Sequence, residues 1–151
     1  MNDYAGILTQ IDEALSRFIE LLDEEARLLE GQPVDIEALM RVCEHKGSAT
    51  VRLDQLERAR TGFLEQKGVG ADRASGDRYA REIGVNDLWQ HLLLQTEAAS
   101  QRNRHNGFTI NRRLDFHNRA LSFLRTAAGM TLYGPNGRQR GMSGTSTYLC
   151  G

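Results

Sequence analysis

NDLWQHLLLQTEAASQRNRHNGFTINRRLDFHNRALSFLRTAAG, residues 86–129, is the longest patterned stretch of the chain. Stepping by three and four residues from Trp89 meets Leu92, Thr96, Ala99, Asn103, Asn106, Ile110, Arg113, His117, Ala120, Leu124 and Ala127. A seam kept in phase over more than five heptads predicts one long helix. Asn106-Gly107 has the composition of a turn, but the phase runs through it and argues for continuity. The centre of the seam, Asn103 to His117, is polar apart from Ile110 and gains little from apolar surroundings. It is therefore expected to be weakly buried and able to exchange partners.

Working outward, residues 3–30 read as a first helix. Leu8, Ile11, Leu15, Phe18, Leu22 and Leu29 form one seam, and Ile7, Ala14, Leu21 and Leu28 lie beside it. That stripe is wider than a two-stranded coiled coil needs and suits a helix with two neighbours. Gly31 suits the position after the helix end, and Pro33 stops its continuation. Asp35 then caps a second helix over 35–67, through Ile36, Leu39, Met40, Cys43, Leu53, Leu56, Phe63 and Leu64. Gly47, Ser48 and Thr50 interrupt it, which predicts a bend or a close helix crossing. Residues 68–84 hold four glycines and no period, and read as a flexible connection with at most a short turn around Tyr79 to Ile83. Residues 141–151, rich in Gly, Ser and Thr and uncharged, read as a disordered tail without assigned function. The expected fold is all-α: one domain over 1–140, three long helices in an antiparallel, coiled-coil-like up-and-down bundle, with a flexible C-terminal tail.

Composition supports this and narrows the function. Two prolines in 151 residues favour helix, and the length suits a single domain. No apolar run approaches the roughly 20 residues of a membrane span and no leader pattern opens the chain, so a cytoplasmic protein without membrane insertion is expected. Cys43 and Cys150 are isolated and expected to be reduced thiols. The net charge of −1 conceals a division: residues 1–31 carry eight acidic and two basic side chains, and residues 86–140 three acidic and eight basic. The first and last helices are electrostatic complements.

No enzyme, metal or cofactor pattern is present. His45, His91, His105 and His117 do not stand at helical ligand spacing, and neither a nucleophile motif nor a phosphate loop occurs. Arg102, Arg104, Arg112, Arg113, Arg119 and Arg125 raise the alternative of an Arg-rich nucleic-acid module. Against it stand the slightly negative total charge and the acidic first helix. A structural coiled-coil adaptor is the other alternative. Asn103 and Asn106 are either a register-fixing polar layer or a partner contact. At about 100° per residue, Ile110, Leu114, Leu121 and Ala128 share one line, and Phe116, Phe123 and Met130 another roughly 120° away. Two apolar lines fit either a sandwiched helix or one with a partner. Gly134-Pro135-Asn136-Gly137 has the makings of a tight turn that presents Tyr133.

Together, Asn103-x-x-Asn106-Gly107, Arg113, Ala120-Leu121-x-x-Leu124 and Leu132-Tyr133-Gly134-Pro135-Asn136-Gly137-Arg138 resemble the C-terminal signature of the FlgN family of flagellar export chaperones. The family usually has aspartate where this chain has Asn136. The first helix, with Leu21-Leu22-x-x-Glu25-x-x-Leu28-Leu29, is also similar. The resemblance implies a cytosolic chaperone that binds the first and third hook-associated proteins, prevents premature assembly and delivers them to the export gate. It assigns client binding to the last helix, where Asn103, Asn106, Ile110, Leu114, Phe116, Leu121, Phe123, Leu124 and Met130 are the candidates. Docking to the gate's cytoplasmic domain falls to Tyr133, with Leu132, Gly134 and Pro135 around it. Self-association is left open.

Overall fold

Three aspartates start three helices. Asp3 accepts from Gly6 N at 2.6 Å, Asp35 from Ala38 N at 3.0 Å and Asp72 from Ser75 N at 3.2 Å, each satisfying a backbone donor that the first helical turn leaves free. They open α1 (Tyr4–Leu29), α2 (Ile36–Gln66) and α3 (Arg73–Glu82), and α4 (Asn86–Ala127) follows. This is a computed structural model that describes residues 3–127. Among the described residues every regular element is helical, and the three long helices match the expected segments to within a few residues.

The expected count of three is corrected by α3, which lies inside the segment read as a flexible connection. Two glycines of that segment end helices. Gly68 and Gly84 adopt φ of +71° and +80°, which a side chain would resist. Behind each, a valine N–H reaches back to a helical carbonyl, Val69 to Leu64 at 2.9 Å and Val85 to Ala80 at 2.8 Å. These are paired Schellman ends, and both valines pack on the core. A third glycine, Gly76, lets α3 approach α4: a Cβ there would sit 3.1 Å from Trp89 Cζ2. The indole in turn donates to Asp77 Oδ1 at 2.6 Å and lies beneath the Arg60 guanidinium at 5.1 Å. The Glu57 carboxylate raises the pKa of Arg60 through its hydrogen bonds, against the desolvation that lowers it.

α1 is the central helix and packs on both α2 and α4, as its wide stripe implies. α2 runs antiparallel to it, with Arg60 near Tyr4 and Lys46 beside Glu25. α4 runs alongside in the same direction as α1: His91 Nε2 lies 3.1 Å from Asp12 Oδ1, and Arg102 pairs with Asp23 at 3.0 Å. The complementary charges of the two helices are thus used in register. The main core gathers Tyr4, Leu8, Leu15, Leu22, Leu64, Trp89, Leu92 and Ala99, and a smaller cluster holds Leu29 and Ile110 with Leu39 and Leu114 against them.

One further expectation is corrected in part. α2 passes Gly47 as a continuous helix, and a Cβ at Gly47 would meet nothing within 4 Å, so no close helix crossing needs this glycine. Cys43 packs against the small cluster of Leu29 and Ile110. Cys150, the tail 141–151 and the last residues of the expected 86–129 helix lie outside the described residues.

Candidate protein-docking surface on the last helix

Between the two apolar clusters lies a buried polar layer. Glu25 of α1 is fully buried, and Lys46 of α2 donates to both its oxygens at 3.0 and 3.2 Å. From α4, Asn103 Oδ1 accepts from Lys46 at 2.9 Å, while Asn106 Nδ2 donates to Glu25 Oε1 and to the Leu22 carbonyl, both at 2.9 Å. The polar centre of the seam is therefore anchored inside the bundle at Asn106, which is 2% exposed, whereas His117 at its far end is exposed. Paired charges and full hydrogen bonding make such burial tolerable. α4 crosses Asn106-Gly107 unbroken.

Beyond this layer the bundle runs out. Arg113 caps the end of α1, donating to the Leu29 carbonyl at 2.7 Å and the Gly31 carbonyl at 3.2 Å. Ile110 is the last buried residue of the described α4, which continues to Ala127. Seventeen further residues at 1.5 Å rise carry the helix about 25 Å past that point. On this overhang Phe116 is 70% exposed, Phe123 71%, Leu124 60% and Leu121 49%. Leu121 continues the line of Ile110 and Leu114, so one apolar line begins as core and ends in solvent. Where the overhang leaves the bundle, a groove of about 810 Å³ opens between the α1–α2 turn and α4, lined among others by Leu29, Pro33, Ile36, Arg112 and Phe116.

The arginines form no stripe. At about 100° per residue Arg102 and Arg113 share one side of α4, Arg104 faces the opposite side, and Arg112 and Arg119 share a third. Arg104 lies 3.8 Å from Glu97 and Arg119 3.0 Å from Asp115, while Arg112 stacks over Phe108 at 5.8 Å. Among the described residues no group of three or more His, Cys, Asp or Glu is placed to hold a metal, and no helix is long and apolar enough to cross a membrane.

Of the sequence-predicted site residues, Phe116, Leu121, Phe123 and Leu124 share the overhang, whereas Asn106 and Ile110 are buried and Asn103 and Leu114 are partly buried against the bundle. Met130, Leu132, Tyr133, Gly134 and Pro135 lie outside the described residues. Sequence reasoning missed Glu25 and Lys46 as partners of the asparagines. The signal for Glu25 was a carboxylate on the core line of the first helix, three residues past Leu22 and four before Leu29. Ile36 and Met40, two of the apolar residues along the second helix, are 59% and 55% exposed.

The family model for the FlgN protein matches residues 1–141. The chain belongs to the FlgN family. Among FlgN relatives, the flagella synthesis protein FlgN of Salmonella typhimurium strain LT2 is 29% identical over 138 residues, covering 91% of each chain. The protein of the same name from Escherichia coli K12 is 26% identical over 138 residues, again 91% of each. That of Yersinia enterocolitica is 26% identical over 144 residues, 91% of this chain and 94% of the relative. No solved structure matches the chain. Family membership extends the resemblance of the C-terminal signature to nearly the whole chain.

Proposed function

We propose that this chain is a cytoplasmic flagellar export chaperone that holds the hook–filament junction proteins, the first and third hook-associated proteins, before they assemble. The observation that carries the reading is an amphipathic helix projecting from a bundle with large apolar side chains exposed on it, in a member of a family of flagella synthesis proteins. A monomeric helix gains nothing from displaying Phe116 and Phe123 to water, whereas a partner helix laid against them would remove that surface. The polar layer and the buried Ile110 fix α4 to α1 and α2, so that the overhang is presented on a rigid stem. The client contacts are assigned to Phe116, Leu121, Phe123 and Leu124, and Met130 is assigned with them on its sequence spacing. Asn103, Asn106, Ile110 and Leu114 are assigned to holding the stem.

Tyr133 with Leu132, Gly134 and Pro135 is assigned to docking at the export gate, so holding and delivery use successive segments of the chain. Co-purification of the chain with hook-associated proteins from a flagellated host tests the first role. Tyr133→Ala tests the second: client binding is retained and binding to the gate's cytoplasmic domain falls. Loss of client binding instead would place the tyrosine in the client interface.

A further inference from the structure

We propose that the client site has a second wall, the start of α2, and that the segment it accepts is a helix whose apolar stripe is edged with carboxylates. The inference rests on the overhang being the client face. Ile36 and Met40 stand one turn apart on α2, hence on one side of it, and both are more than half exposed. Ile36 lines the groove beneath the overhang together with Leu29 and Pro33, and Phe116 lines it from α4. Ile36 and Phe116 thus face each other across one groove, with Met40 one turn from Ile36 and Phe123 two turns from Phe116. Scattered exposed apolar residues carry no meaning, but a row that crosses a groove between two elements does.

The shape fits a helix, about 10 Å across, that offers residues at i, i+3, i+4 and i+7 to two walls at once. The charge fixes its chemistry. Residues 108–127 hold four arginines and one aspartate, and the groove's rim sets Arg112, Arg113 and His117 against a single carboxylate, Glu30. Arg113 already serves the carbonyls of α1. Arg112, with its guanidinium 5.8 Å over the Phe108 ring, is the cation left at the rim for a partner. Carboxylates beside the client's apolar stripe would complement it, so reversing the charge at Arg112 would set like charges against each other and weaken the complex.

The full chain is titrated calorimetrically with the purified first hook-associated protein of the same organism. Comparison is made with Ile36→Ser/Met40→Ser, Phe116→Ser/Phe123→Ser and Arg112→Glu, with circular dichroism and sedimentation on each. The expected result is about tenfold or greater weakening for Ile36→Ser/Met40→Ser with an unchanged melt, and weakening with a shallower salt dependence for Arg112→Glu. Unchanged binding in Ile36→Ser/Met40→Ser beside loss in Phe116→Ser/Phe123→Ser overturns the second wall and leaves the overhang assignment standing. Unchanged binding in both overturns the two together. Undiminished binding by Arg112→Glu overturns the carboxylate-edged partner. A concentration-dependent dimer of the parent chain that Ile36→Ser/Met40→Ser abolishes makes a second copy the occupant, and overturns the proposal.

Discussion

Asn106 of α4 and Glu25 of α1 meet inside the bundle at 2.9 Å, and Lys46 of α2 closes on the same carboxylate at 3.0 Å. This contact is where all three long helices are tied together, between a large apolar core and a small one. Lys46→Met leaves a fully buried carboxylate without its counter-charge and is expected to cost about 3 kcal/mol in denaturant unfolding. Glu25→Leu combined with Lys46→Met is expected to cost clearly less than the sum of the single changes, because neither charge is then stranded. Additive losses would mean that the two side chains do not act as a pair.

Gly76 is the reason α3 can lie on Trp89. The indole is held from two sides, by Asp77 and Arg60, and cannot yield readily. Gly76→Val is therefore expected to destabilise by roughly 1–3 kcal/mol through overpacking, in spite of better helix formation than glycine. Quenched or shifted tryptophan fluorescence of the native state reports the displacement directly, since Trp89 is the single tryptophan.

Two other glycines should respond in opposite directions. Gly84→Ala forces a side chain into the left-handed region, with an expected cost of about 1 kcal/mol. Gly47→Ala enters open space on a regular helix and is expected to stabilise by about 0.5–1 kcal/mol. Thermal melts of the two variants side by side check the sign.

The Asp72 carboxyl lies below the usual carboxylate range, first because it accepts the Ser75 hydroxyl at 2.7 Å and next because it accepts the Ser75 N–H. A depressed folded value means stabilisation that is present above the ordinary carboxylate pKa and lost as pH falls through the folded one. Asp72→Asn keeps a capping side chain without the charge. Its stability relative to the parent chain should be lower near neutrality and converge with it in acid. A constant difference across that range would remove Asp72 as a source of the pH dependence.

Much of the fold could be read from periodicity. The seams of residues 3–30 and 86–129 give two of the long helices, and the breadth of the first stripe gives α1 its two neighbours. Periodicity failed where stability comes from single contacts. α3 has ten residues, most of them polar, and is held by an aspartate cap, a glycine against an indole and a Schellman end, none of which leaves a periodic trace. The polar centre of the last helix was misjudged for a related reason. Asn103 and Asn106 are costly to bury alone, and only the partners brought from α1 and α2 reverse the sign. Phe116 and Phe123 were visible as a second apolar line, yet whether that line was covered depended on where α1 ends relative to α4, a tertiary fact. Ile36 and Met40 stand at helical spacing on α2, and nothing in the sequence showed that they would be left exposed.

The overhang of α4 is the proposed client face. Calorimetric titration of purified first hook-associated protein into the parent chain and into Phe116→Ser/Phe123→Ser tests it most directly. Both side chains are about 70% exposed, so helical content and the unfolding midpoint should stay at the parent's values. Binding should weaken by a hundredfold or more, the order of magnitude of losing two aromatic anchors at roughly 1.4 kcal/mol each. Equal affinity of the two proteins, with folding intact in both, would contradict the account.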